Sequence, residues 1–137
     1  MISNENLKHA LFIVSVFRSN LSFDENQKNH ESVKALMDDV GNIAYKEVVD
    51  CYMGQFEQSF LIQDNVDFAL DIAKLYEQEC ILELSAFTRD ARLIYPLTQS
   101  SISVGVFTAV DKETAQRQDS YTYDPMTGVY YITIKEG

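Results

Sequence analysis

Residues 10–17, ALFIVSVF, form an apolar run that does not alternate with polar positions. A strand with one wet face alternates, so a continuous run rich in Phe, Ile and Val predicts a strand covered on both faces. The chain must therefore supply packing for two sides of one segment. The run stops abruptly at Arg18-Ser19-Asn20, immediately before Ser22-Phe23-Asp24-Glu25, which has the Ser-x-x-Glu form of a helix capping box. Arg18 has two readings of equal weight at this point. It caps carbonyls where strand turns to helix, or it offers donors, with Ser19 and Asn20, to an anionic or polar ligand at a strand's carboxyl end.

Val33, Leu36, Met37 and Val40 follow the capping box at helical spacing, and Gly41 closes that helix. Residues 43–52 and 56–62 read as strands. Asp64 is expected to cap a second helix with Val66, Leu70 and Ala73 on its apolar face, and residues 80–87 read as a further strand. This order is β-α-β-β-α-β, which predicts an α+β, ferredoxin-like antiparallel sheet with two helices on one face. Strand candidates at 91–96, 101–110, 121–123 and 129–135 come after it, the last two joined by the turn Asp124-Pro125-Met126-Thr127-Gly128. They are expected to extend the sheet edge or to contact a neighbouring subunit. The whole is expected to be one domain, 1–137, with a core over about 10–87 and an extension over about 91–135.

Twenty-one acidic side chains against eleven basic ones give a net charge of −10. That argues against nucleic-acid binding through phosphates and weakly favours cationic ligands. Mimicry of DNA by surface charge is a minor alternative, because the acids are scattered. Cys51 and Cys80 build no disulfide framework, so a reducing cytoplasm is expected. No stretch is long and apolar enough for a membrane helix. His9 and His30 lack metal-ligand spacing and are expected at the surface, and neither a Gly-rich phosphate loop nor a GxSxG elbow is present.

One hairpin could carry chemistry. A two-residue turn at Gly54-Gln55 would set Tyr52 opposite Glu57 and Asp50 opposite Ser59. Period two then puts Cys51, Val49, Phe60 and Ile62 under the helices, and Tyr52, Asp50, Lys46, Glu57 and Ser59 on the other face. The plain reading is a solvated sheet face. A shift of one residue in the turn would separate Tyr52 from Glu57.

The stretch FIVSVFRSNLS, with His30 in the helix after it, resembles the start of the phage-encoded S-adenosylmethionine hydrolases, since reinterpreted as S-adenosylmethionine lyases. The likeness continues at DCY (50–52), EQS (57–59), ALDIAKLYEQECILEL (69–84), ARLIYP (91–96), Gly105-x-Phe107 and the closing YTYDPMTGVYYITI. The resemblance implies an enzyme that destroys S-adenosylmethionine in the cytoplasm of an infected bacterium and so starves host restriction. It implies 5′-methylthioadenosine and homoserine lactone as products, no cofactor or metal, and a PII-like homotrimer holding substrate between subunits. By the same resemblance, Tyr52 and Glu57 match the family's tyrosine and glutamate. The family places a longer loop between the two, which leaves Glu47 as the alternative glutamate. On this reading Glu57 binds the substrate's ammonium group, Tyr52 shapes the pocket, and Phe17, Arg18 and Ser19 hold the adenosine part. A hydrolase, and a non-catalytic trimeric module that binds the nucleotide without breaking it, are the competing readings.

Overall fold

A computed structural model describes residues 10–135. Among the described residues, eight strands, β1 (Ala10–Ser15), β2 (Tyr45–Tyr52), β3 (Gln55–Gln63), β4 (Ile81–Ser85), β5 (Asp90–Tyr95), β6 (Ser100–Val110), β7 (Ser120–Asp124) and β8 (Val129–Ile134), are joined with three helices. The helices are α1 (Phe23–Val40), α2 (Val66–Leu75) and the short α3 (Lys112–Gln116), which the sequence reading missed. His9 lies outside the described residues.

The strands close into an antiparallel barrel in the order β1-β3-β2-β7-β8-β6-β5-β4, with β4 returning to β1. This corrects the ferredoxin-like, PII-like open sheet. An open four-stranded sheet would leave β2 and β4 as bare edges, with a row of unpaired backbone groups on each. The C-terminal strands take up both: β7 pairs with β2, β5 pairs with β4, and β6 and β8 bridge the gap between them. What looked like an extension is half of the barrel wall.

Closure explains the opening apolar run. Phe12, Val14 and Val16 face outward into one cluster with Val33 and Met37 of α1, Ala69, Ile72 and Ala73 of α2, and Phe60 and Ile62 of β3. Leu11 and Ile13 face inward, among Val48, Leu84, Ala91 and Phe107. One strand thus separates a helix-covered outer core from the barrel interior, and both layers need apolar residues from it.

The start of α1 is fixed as its sequence predicts. Ser22 Oγ accepts from the Glu25 amide at 3.1 Å, the Glu25 carboxylate accepts from the Ser22 amide at 3.4 Å, and Gly41 ends the helix at φ +78°. Asn65, not Asp64, caps α2, its side chain accepting from the Phe68 amide at 3.1 Å. His30 is fully buried rather than at the surface. Its ring stacks on Phe60 with centroids 4.1 Å apart, and Nε2 lies 2.8 Å from Glu47 Oε1.

The polar end of the apolar run also has a structural cause. Asn26 of α1 is buried, and it clamps the loop by accepting from the Arg18 amide at 2.8 Å and donating to the Arg18 carbonyl at 3.0 Å. Gln78 donates to the Phe17 carbonyl at 2.8 Å. The chain leaves the barrel here, and side chains supply the partners that strand neighbours no longer provide.

Candidate functional site

A cavity of about 870 Å³ opens at the end of the barrel where β1 and β2 finish and β3, β4 and β7 begin. That is within the roughly 300–1,000 Å³ of small-molecule sites. Its floor is apolar, formed by Ile13, Leu82, Val104 and Phe107, with Phe107 stacked on Tyr131 at 4.7 Å. Its rim is polar and comes from the strand ends and from two loops, Phe17–Ser19 and Gln78–Cys80.

The β2–β3 hairpin turns at Met53-Gly54, with φ of +51° and +81°, not at Gly54-Gln55. Two successive residues with positive φ match the twist of a hairpin's strands, and Gly takes the second position. Moving the turn by the one residue noted above shifts every cross-strand pairing by two. Glu57 lies opposite Asp50, Ser59 opposite Val48, and Tyr52 opposite Gln55. The faces survive the shift because the side-chain period is two. Asp50, Tyr52 and Glu57 all line the cavity, but Tyr52 and Glu57 are not a directly opposed pair.

Two carboxylates thus stand directly across the ladder inside the mouth. Asp50 Oδ2 accepts from Ser59 Oγ at 2.7 Å and Oδ1 from Thr122 Oγ1 at 2.8 Å. Burial pushes the Asp50 carboxyl above its ordinary pKa, and the two hydroxyl donors offset this only in part. Burial and, after it, the Asp50 charge push Glu57 up as well, against a hydrogen bond from Ser15. Both groups favour the charged state less than they would in water, and a cation bound between them would restore it.

The other residues singled out by the sequence fall as follows. Phe17, Arg18 and Ser19 line the same cavity as Tyr52 and Glu57. The Arg18 guanidinium is paired with Glu77, so it ties the β1–α1 loop to the end of α2. Tyr52 stands at the rim and is 68% exposed. Glu47 is outside the cavity, on the helix-covered side of the wall, and binds His30 at 2.8 Å and Lys34 at 3.3 Å. Burial works against the Glu47 charge, but those two hydrogen bonds outweigh it and hold its carboxyl below the usual range. Asp50 was on the right face in the sequence reading and was not singled out. Its signal was an acid placed next to Ser59 on a face that barrel closure turns inward.

Chemically, the mouth suits a ligand with a cationic end and an apolar or aromatic body. A model of the S-adenosylmethionine lyase family matches residues 12–134. A search of curated proteins finds no match. The match spans nearly all of the barrel, and the chain belongs to the S-adenosylmethionine lyase family.

Proposed function

We propose that this S-adenosylmethionine lyase closes its substrate's methionine tail into L-homoserine lactone and releases 5′-methylthioadenosine. A substrate carboxylate oxygen forms a bond to the γ-carbon, and the carbon–sulfur bond breaks with its electron pair going to sulfur. No proton moves and no external nucleophile is consumed. Opposite charges cancel along this path, so water favours the substrate over the transition state and a drier site removes that bias. Holding the tail bent, with carboxylate and γ-carbon in contact, supplies much of the remaining acceleration.

The observation that carries this reading is a pair of carboxylates, reached by no ion pair among the described residues, above an apolar floor in a chain of this family. Glu57 binds the α-ammonium, whose charge persists through the reaction, and fixes the bend. Tyr52 shapes the rim, and Phe17, Arg18 and Ser19 pack the adenosine part. Arg18 is already neutralised by Glu77. It therefore competes weakly for the substrate carboxylate, which stays free to attack.

We extend the proposal to a homotrimer with the cavity mouth at a subunit boundary. What supports it is a stripe of Phe56, Tyr121, Tyr130 and Tyr123 in successive ring contact, together with Met53 and Tyr52 exposed at the hairpin tip. By its resemblance to phage enzymes, the protein acts in the infected cell's cytoplasm and removes the cofactor that host restriction requires. No helix among the described residues is long and apolar enough to cross a membrane.

A product time course with S-adenosylmethionine tests the chemistry. Homoserine lactone is expected first, with homoserine accumulating only as the lactone hydrolyses. Homoserine from the earliest time point, with no lactone, contradicts the lyase route and supports a hydrolase.

A further inference from the structure

Several acids of this protein have a cation. Asp124, which is buried, is paired with Lys46, Glu47 has His30 and Lys34, and Glu77 has Arg18. Among the described residues no ion pair reaches Asp50 or Glu57. Each Asp50 oxygen instead takes one neutral hydroxyl, from Ser59 or Thr122. Like charges directly opposed on neighbouring strands destabilise a sheet, and a half-buried carboxylate without a counter-ion adds to that. The hydroxyls fix where the Asp50 oxygens point but bring no charge. The arrangement is complete only when a cation sits between the two strands.

We infer that Asp50 is a second recognition group for the substrate's α-ammonium, acting with Glu57 across the β2–β3 ladder. This rests on the cavity being the lyase site. An ammonium carries three N–H donors, which one carboxylate does not use up, and cross-strand side chains of opposed residues start about 5 Å apart. Two acids on facing strands therefore cradle the group from both sides. The ammonium charge is unchanged between substrate and lactone, so it can be held firmly in ground and transition states alike. The sulfonium, whose charge disappears, is better left to the apolar part of the cavity, since holding it would stabilise the ground state more than the transition state. Asp50 thereby makes the free amino group a requirement of the site.

The test uses two ligands that the enzyme does not turn over. S-adenosylhomocysteine carries the ammonium without the sulfonium, and 5′-methylthioadenosine carries neither. Asp50→Asn is isosteric and keeps partners for Ser59 and Thr122. It is expected to weaken S-adenosylhomocysteine about tenfold or more in calorimetric titration, and to leave 5′-methylthioadenosine within about twofold. Equal weakening of both ligands, or of neither, overturns the proposal. So does a raised KM for S-adenosylmethionine with S-adenosylhomocysteine affinity unchanged, which would put Asp50 at the sulfur.

A second measurement needs no variant. As pH falls through the raised carboxylate range, the wild-type protein should lose affinity for S-adenosylhomocysteine while 5′-methylthioadenosine holds. The groups facing the pair are the Ser15, Ser59 and Thr122 hydroxyls, with Arg18, Glu79, Cys80 and Tyr121 around the mouth. Parallel loss of both ligands overturns the assignment. The product time course is independent: if the wild type makes homoserine directly, the lyase chemistry fails while the two-ligand comparison still decides the role of Asp50.

Discussion

Glu57→Gln is expected to lower kcat/KM for S-adenosylmethionine by about a hundredfold, with kcat falling as well as KM rising. A charge-assisted contact to an ammonium contributes roughly 1.5–3 kcal/mol to binding alone, and loss of the bent tail conformer adds to that in kcat. The same substitution should raise thermal stability on the alkaline side. Burial and Asp50 push the Glu57 carboxyl up, so the folded protein holds that proton more tightly than the unfolded chain does. Stability is therefore lost as pH rises from the ordinary glutamate value through the folded one, and glutamine removes the loss.

Glu47→Gln provides the contrast. It lies outside the cavity with a depressed pKa, so it should leave turnover within about twofold and lower stability above the ordinary glutamate value, where its pairs with His30 and Lys34 are formed. Steady-state kinetics and melts across pH on both variants check the pair. Full activity in Glu57→Gln, with loss in Glu47→Gln, would move the site to the other glutamate.

Gly105→Ala should be the most damaging single methyl in the barrel. Gly105 has φ +120°, and a Cβ there would lie 2.3 Å from the Ile134 carbonyl oxygen and 2.9 Å from the Lys135 nitrogen. Those are backbone atoms of β8 and its continuation, with no side chain to swing aside. The residue sits at a bulge where β5 runs past β6: Ala91 faces Gly105 and Arg92 faces Ser103, leaving Val104 unmatched. Val104 and Phe107, on either side, belong to the cavity floor. Relieving the clash means opening the β6–β8 seam, so a loss of about 3–5 kcal/mol is expected, with a melting temperature lower by roughly 10 °C or more. A melt within a degree or two of wild type would show that the seam has room this structure does not give it.

Local patterns made the individual elements legible. The capping box at Ser22–Glu25, the Gly41 stop and the two-faced burial of Ala10–Phe17 follow from residues near one another in sequence. Closure was hidden because it depends on β2 meeting β7 across about seventy residues, and neither strand says which partner completes its edge. The hairpin register departs from its expectation for a narrower reason. Gly54 invites a turn with Gly in the first position, but the chain puts Met53 there at φ +51° and gives Gly54 the second. That single step moved Glu57 from Tyr52 to Asp50, which is why the acid pair was missed while the inward face was not. Nothing near His30 in sequence announces its stack on Phe60 or its bond to Glu47, so local pattern alone places it at the surface.

The central claim is that the substrate's own carboxylate, and not water, attacks its γ-carbon in this cavity. Turnover in water enriched in ¹⁸O, followed by mass analysis of the amino-acid product, tests it most directly. Intramolecular attack puts a substrate carboxylate oxygen on the γ-carbon. Lactone should then carry no label, and homoserine formed from it later should carry label only in its carboxylate. Label in the γ-hydroxyl oxygen of homoserine would mean that water made the new bond, and would contradict the account.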